Sequence, residues 1–201
     1  TGVRFFMADI GKLQVLKAAS SDPFGQPVLS IAHLLEFRPQ GVPINRVRLR
    51  GSVLWRGKSS RVSLHDGTAG ISVYFREPYV APVLGGEVDV LGFLTRRYDR
   101  WSITDAEYRM SLESGFRPEF LSIENQDALS SGLDGELVRL SANVIALESM
   151  LERPTLVAES QGHVFRVRLD FPGAERYSRS IQKGAVVQAT GVYSSLESEV
   201  T

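Results

Sequence analysis

The sequence predicts a mainly β protein made of two tandem barrels, and three observations carry that prediction. One segment occurs twice: Val47-Arg48-Leu49-Arg50-Gly51-Ser52-Val53 returns as Val138-Arg139-Leu140-Ser141-Ala142-Asn143-Val144. A second segment follows each copy, first as Gly85-Gly86-Glu87-Val88-Asp89-Val90-Leu91-Gly92 and then as Gly184-Ala185-Val186-Val187-Gln188-Ala189-Thr190-Gly191. Between them the apolar residues alternate with period two, the signature of half-buried strands. The copies lie about 90–100 residues apart, which is the length of a small domain rather than of a solenoid repeat.

From Arg46 onward Val47, Leu49, Val53 and Trp55 fall on one face with Gly51 in register, and Arg46, Arg48, Arg50 and Arg56 fall on the other. A glycine inside such a strand marks a bend or a close backbone approach. Val62 and Leu64 give a second strand. Asp66-Gly67-Thr68-Ala69-Gly70 reads as a hairpin turn, and Ile71, Val73 and Phe75 continue the inward set. Residues 78–82 are an irregular crossing with room for a helix. Glu87 to Arg96 and Trp101 to Met110 are strands four and five. Five short strands, a bent first strand and a crossing between the third and fourth describe an OB-like Greek-key barrel.

The second half repeats the plan. Its strands are expected at Glu136 to Ala146, Thr155 to Ser160, His163 to Phe171 and Ala185 to Ser194, with a helical crossing at Gly173 to Lys183. A fifth strand is missing, and an open edge is a pairing liability. Ahead of the barrels, Phe5, Phe6, Ile10, Leu13 and Leu16 have roughly helical spacing, and Ser30 to Phe37 reads as a turn or two of helix. The expected domains are a helical lead-in over 1–45, a first barrel over 46–113, a linker over 114–134 with a helical turn near Asn125 to Leu129, and a second barrel over 135–201.

Lys+Arg 23 and Asp+Glu 23 cancel over the 201 residues, so net charge gives no sign of a polyanionic partner. The distribution is uneven: residues 38–100 hold 11 basic against 5 acidic residues. Cysteine is absent, which excludes disulfides, thiolate metal sites and cysteine nucleophiles. No apolar run approaches the ~18 residues of a membrane span. His33, His65 and His163 lie in different elements. His65 beside Asp66 invites a general-base reading, but an ordinary strand residue next to a turn explains it better. A metal site from His65, Asp66 and Asp89 lacks ligand spacing, and no Gly-x-Ser-x-Gly elbow occurs. No catalytic residue, metal or cofactor is expected.

The order of these segments resembles the extracytoplasmic tandem barrel region of some bacterial membrane-bound sensor histidine kinases and related signalling proteins. The residues that carry the likeness are Val47 to Val53, Val62 to Val73 with its Leu64-His65-Asp66-Gly67-Thr68 turn, the Gly85 to Gly92 strand, and Asp134-Gly135-Glu136-Leu137-Val138-Arg139 leading into the second barrel. It covers residues 28–195. The resemblance implies a non-catalytic sensory region in the periplasm, attached to the inner membrane by segments outside this chain.

The candidate surface is the outer face of the first barrel. Alternation points Arg48, Arg50, Arg61, His65, Tyr74 and Arg76 outward, and OB-like folds bind ligands across that part of their surface. Arginine with an aromatic ring suits a small anionic ligand or an acidic protein partner, the first expectation. It equally suits a nucleic-acid strand, the alternative, which would also fit a cytoplasmic protein. A homodimer is compatible with the sequence. The second barrel's outer face, with Arg139, Ser141, Asn143, Arg166, Arg168 and Asp170, is less basic and poorer in aromatics, which places the site on the first.

Overall fold

A computed structural model describes residues 6–16, 20–36, 45–57, 60–77, 79–97, 100–111, 118–123, 131–150 and 153–194. The first module holds α1 (Ile31–Leu35), β1 (Val47–Arg56), β2 (Arg61–His65), β3 (Gly70–Phe75), β4 (Glu87–Arg97) and β5 (Arg100–Met110). These strands close a barrel in the order β1-β2-β3-β5-β4. Closure comes from the parallel pairing of β3 with β5, Ser72 opposite Ser102. The inward residues form one core, with Leu49, Val53, Val62, Val73, Val88, Val90 and Ile103 wholly buried. Ile31 and Leu34 of α1 belong to the same core.

Asp66 ties α1 to the barrel. Its Oδ2 accepts a hydrogen bond from the Ile31 N–H at 2.7 Å. Its Oδ1 accepts from the Thr68 and Ala69 N–H groups within the β2–β3 turn. The turn therefore spends its carboxylate on backbone donors that would otherwise be unsatisfied.

The second module contains β6 (Leu121–Ser122), β7 (Leu137–Met150), β8 (Arg153–Ser160), β9 (His163–Arg168), α2 (Ala174–Ser178) and β10 (Val186–Val192). Its sheet runs β10-β7-β8-β9, with β6 paired to β7, and among the described residues no strand joins β9 to β10. The architecture is two tandem OB-like modules, the first a closed barrel and the second a curled half-barrel.

The repeat extends into the hydrogen bonding. Val53 exchanges backbone hydrogen bonds with Gly85 and Gly86, and Val144 does the same with Gly184 and Ala185. Leu29 N–H donates to the Arg48 carbonyl at 2.8 Å, as Ile123 N–H does to the Arg139 carbonyl at 3.0 Å. Each module is thus entered by a short parallel segment laid along the start of its first strand. Gly51 sits at the expected close approach: a Cβ there would lie 2.5 Å from the His65 carbonyl oxygen.

One sequence expectation changes. Residues 6–16 hold only a 3-10 turn at Ile10–Lys12, and Phe6, Ile10, Leu13 and Leu16 are exposed, so helical spacing forms no packed helix there. A short helix without a partner for its apolar stripe is not stable. The described residues of the crossing, 79–82, are irregular, as the sequence reads, and hold no helix. The helical turn expected near Asn125 to Leu129 lies outside the described residues, and Ser131–Leu133 forms a 3-10 turn. No helix among the described residues is long and apolar enough to cross a membrane.

Candidate functional site

The six outward residues of the first barrel do not form one patch. On the outer face of the sheet, Arg48 and Arg50 turn to Asp89 of β4. Arg48 Nη2 and Arg50 Nε each donate to a separate Asp89 oxygen at 2.7 Å, and Arg109 Nε donates to Oδ2 at 3.1 Å. Nη1 of Arg48 caps the Phe24 and Gln26 carbonyls of the lead-in segment. Asp89 is 2% exposed. Burial pushes its carboxyl up, but the hydrogen bonds from Arg50, Arg48 and Arg109 outweigh burial and hold it below its ordinary value. The cluster is an internal clamp between β1, β4, β5 and the lead-in. Arg48 and Arg50, which alternation offers as ligand-facing, are both engaged by this cross-strand carboxylate.

His65 is also covered. Its Nδ1 accepts from the Gly67 N–H at 3.0 Å, which places the proton on Nε2, 3.0 Å from Glu136 Oε2. Glu136 opens the second module, so His65 is a joint between modules. Asp66 is engaged by the backbone of its own turn and by Ile31, and His65 by Gly67 and Glu136. Arg76 pairs in fork geometry with Asp105, at 2.7 and 2.8 Å, on an exposed part of the surface.

Arg61 and Tyr74 do come together, and two residues join them that alternation assigned elsewhere. Trp55 was expected on the inward face. A β-bulge between Val53 and Trp55 shifts the β1–β2 register, so Val53 faces Leu64 in the core while Trp55 faces Ser63 on the outside. One extra residue reverses the side of everything after it. The indole then lies under the Arg61 guanidinium, 5.3 Å from it, and the Arg61 guanidinium also sits 5.9 Å from the Tyr74 ring. Arg168, from β9 of the second module, approaches the same indole at 5.5 Å. Arg61 Nη2 donates to Ser72 Oγ at 3.2 Å, which fixes it on the β2–β3 surface.

The second module is held against this surface by a close joint. Trp55 Nε1 donates to Asp170 Oδ2 at 3.1 Å, and Arg153 pairs with the same oxygen. Arg100 pairs with Asp134. At Gly70 and Gly135 the two backbones touch: a Cβ on Gly70 would lie 2.1 Å from the Gly135 carbonyl oxygen. The cluster Trp55–Arg61–Tyr74–Arg168 therefore belongs to both modules. Its chemistry is flat π-faces interleaved with guanidinium groups, suited to planar rings carried on an anionic backbone. The outward position of Arg168 was legible in β9's alternation, whereas the joint that brings it to Trp55 is a tertiary fact.

No protein-family model and no curated protein matches the chain. Solved structures similar to it include a replication protein A heterotrimer bound to single-stranded DNA, at 25% identity over 39% of this chain with a TM-score of 0.33. The chain spans 66% of the length of that match. A murine DNA-binding protein bound with double-stranded DNA matches at 10% identity over 68% of this chain and 82% of its own, with a TM-score of 0.35. A structure described as structural mimicry for functional antagonism matches at 10% identity over 74% and 84%, with a TM-score of 0.36.

Proposed function

We propose that the tandem modules bind single-stranded nucleic acid without catalysis, the strand lying across Trp55, Arg61, Tyr74 and Arg168. The observation that carries this reading is the placement of two guanidinium groups against one indole, beside a tyrosine, on the strand 2–3 face that OB-like folds use for ligands. Bases stack on such rings without sequence preference, and arginines neutralise the phosphates between them. Titration of a fluorescent oligonucleotide tests it. Affinity should rise as salt falls, and Tyr74→Ala should lose about 1–3 kcal/mol, roughly 5- to 150-fold. An oligonucleotide that fails to bind at low salt ends the reading.

A second reading is an extracytoplasmic sensory region that binds a small ligand or a protein. The joint favours it: Gly70 against Gly135 and His65 against Glu136 couple the modules tightly enough to pass on a displacement. A membrane span and a kinase region in the full gene, together with no oligonucleotide binding, would decide for this reading. Oligonucleotide binding that Tyr74→Ala weakens would decide against it.

A further inference from the structure

A broad, solvent-open cavity of about 630 Å³ lies beside α2 in the second module, lined in part by Arg153, Asp170, Phe171, Arg176 and Arg179. Two features make it more than a surface dip. Its wall is shared with the cluster above, because Asp170 accepts from Trp55 Nε1 at 3.1 Å while pairing with Arg153 inside the cavity. The two remaining arginines, Arg176 and Arg179, are exposed and have no carboxylate partner among the described residues. Arg153 and Asp170 neutralise each other, and Glu175 offsets only one of the other two charges, so the cavity keeps a net positive lining. Phe171 adds an aromatic surface, set edge-on to Tyr177 with centroids 5.9 Å apart.

We propose that this cavity is a second nucleotide subsite for the same strand, with Arg176 and Arg179 on a phosphate and a base against Phe171. This rests on the nucleic-acid reading of the Trp55 cluster and extends it. The ligand track then runs from Tyr74 and Arg61, past Trp55 and Arg168, over the Asp170 wall and into the second module. The strand's phosphates would cross the joint, so both modules are needed for full affinity. A tandem arrangement with one rigid joint gives the second subsite a high effective concentration of strand.

The test uses the full chain, a short oligonucleotide that can span only the Trp55 cluster, and a longer one that can reach α2. Arg176→Gln with Arg179→Gln removes two exposed charges and should leave the fold intact by circular dichroism. The double variant should bind the short oligonucleotide like the parent. It should bind the longer one more weakly, with the log affinity against log salt slope reduced by roughly 0.7 for each phosphate that is no longer neutralised. Unchanged affinity and slope for the longer oligonucleotide, with Tyr74→Ala still weakening both, overturns the subsite and leaves the cluster standing. Failure of the parent chain to bind either oligonucleotide overturns both.

Discussion

The fourth strand of each module has the same sequence plan and a different fate. Val88 and Val90 of β4 are completely buried, because β5 lies beside them and closes the barrel. Their counterparts in β10, Val187 and Ala189, are only half-buried, and neighbouring Val186 is 75% exposed. The first strands hardly differ: Val47, Leu49 and Val53 are as buried as Val138, Leu140 and Val144. Burial thus depends on closure rather than on the strand's own alternation. The outer surface diverges further. Arg50 and Asp89 of the clamp become Ser141 and Gln188, and Trp55 becomes Ala146 at the same bulge, which recurs between Val144 and Ala146. Duplication kept the scaffold and its irregularity, while the ion clamp and the aromatic platform belong to the first copy.

The largest expected effect lies in the clamp. Asp89→Ala leaves Arg48 and Arg50 without the carboxylate that both share, and a broken buried ion pair costs about 3–5 kcal/mol. Gln188→Ala, at the equivalent place in the second module, should change stability by no more than about 0.5 kcal/mol. Urea unfolding of the two variants measures the contrast, and equal losses would show that the modules are energetically alike. The clamp also sets an acid limit. The folded Asp89 carboxyl titrates below its ordinary value, so on acidification the unfolded chain takes up the proton first. Its contribution is complete above the ordinary carboxylate value and is lost as pH falls through that value toward the folded one. Asp89→Ala should flatten that part of the stability profile.

Much of this was legible from period two alone. Val47, Leu49, Val53, Val62, Leu64, Ile71, Val73 and Phe75 reach the core where alternation placed them, because successive side chains of a pleated strand point to opposite faces. Trp55 was misplaced because a bulge adds one residue and leaves no mark in the apolar pattern. Arg48 and Arg50 pointed outward as expected, yet the carboxylate that takes them up lies 41 and 39 residues away in sequence. Arg168 reached the site from the other module, across a joint that no local pattern encodes. Phe6 to Leu16 carried a helical spacing with nothing to pack against. Local order was readable and so were Arg61 and Tyr74, but Trp55 and Arg168 join them only through a bulge and a joint.

A smaller effect is expected at the joint. Gly70→Ala drives a methyl group onto the Gly135 carbonyl, and neither backbone can yield without parting the modules. Overpacking of this kind costs about 1–3 kcal/mol. The informative readout is cooperativity: calorimetry should show one transition in the parent and two in Gly70→Ala, the half-barrel melting first. A single transition in the variant would mean that His65–Glu136, Arg100–Asp134 and Trp55–Asp170 suffice to couple the modules.

The smallest effect should come from Arg76, and it marks where the site ends. Asp105 has a φ of 50° and is the extra residue at which β5 shifts register against both β3 and β4. Arg76 grips its carboxylate with two nitrogens, and that hydrogen bonding holds the Asp105 carboxyl below its ordinary value. The pair is open to solvent, where water and salt screen it, and exposed pairs contribute little to stability. Its charge is already answered by Asp105, so Arg76 adds little to the field that a polyanion would meet. Arg76→Gln should therefore leave the unfolding midpoint, the oligonucleotide affinity and the salt slope where they are in the parent. A lower salt slope would move the ligand track along β3 toward Arg76. It would also return to the first module a surface that the Asp105 pairing takes away.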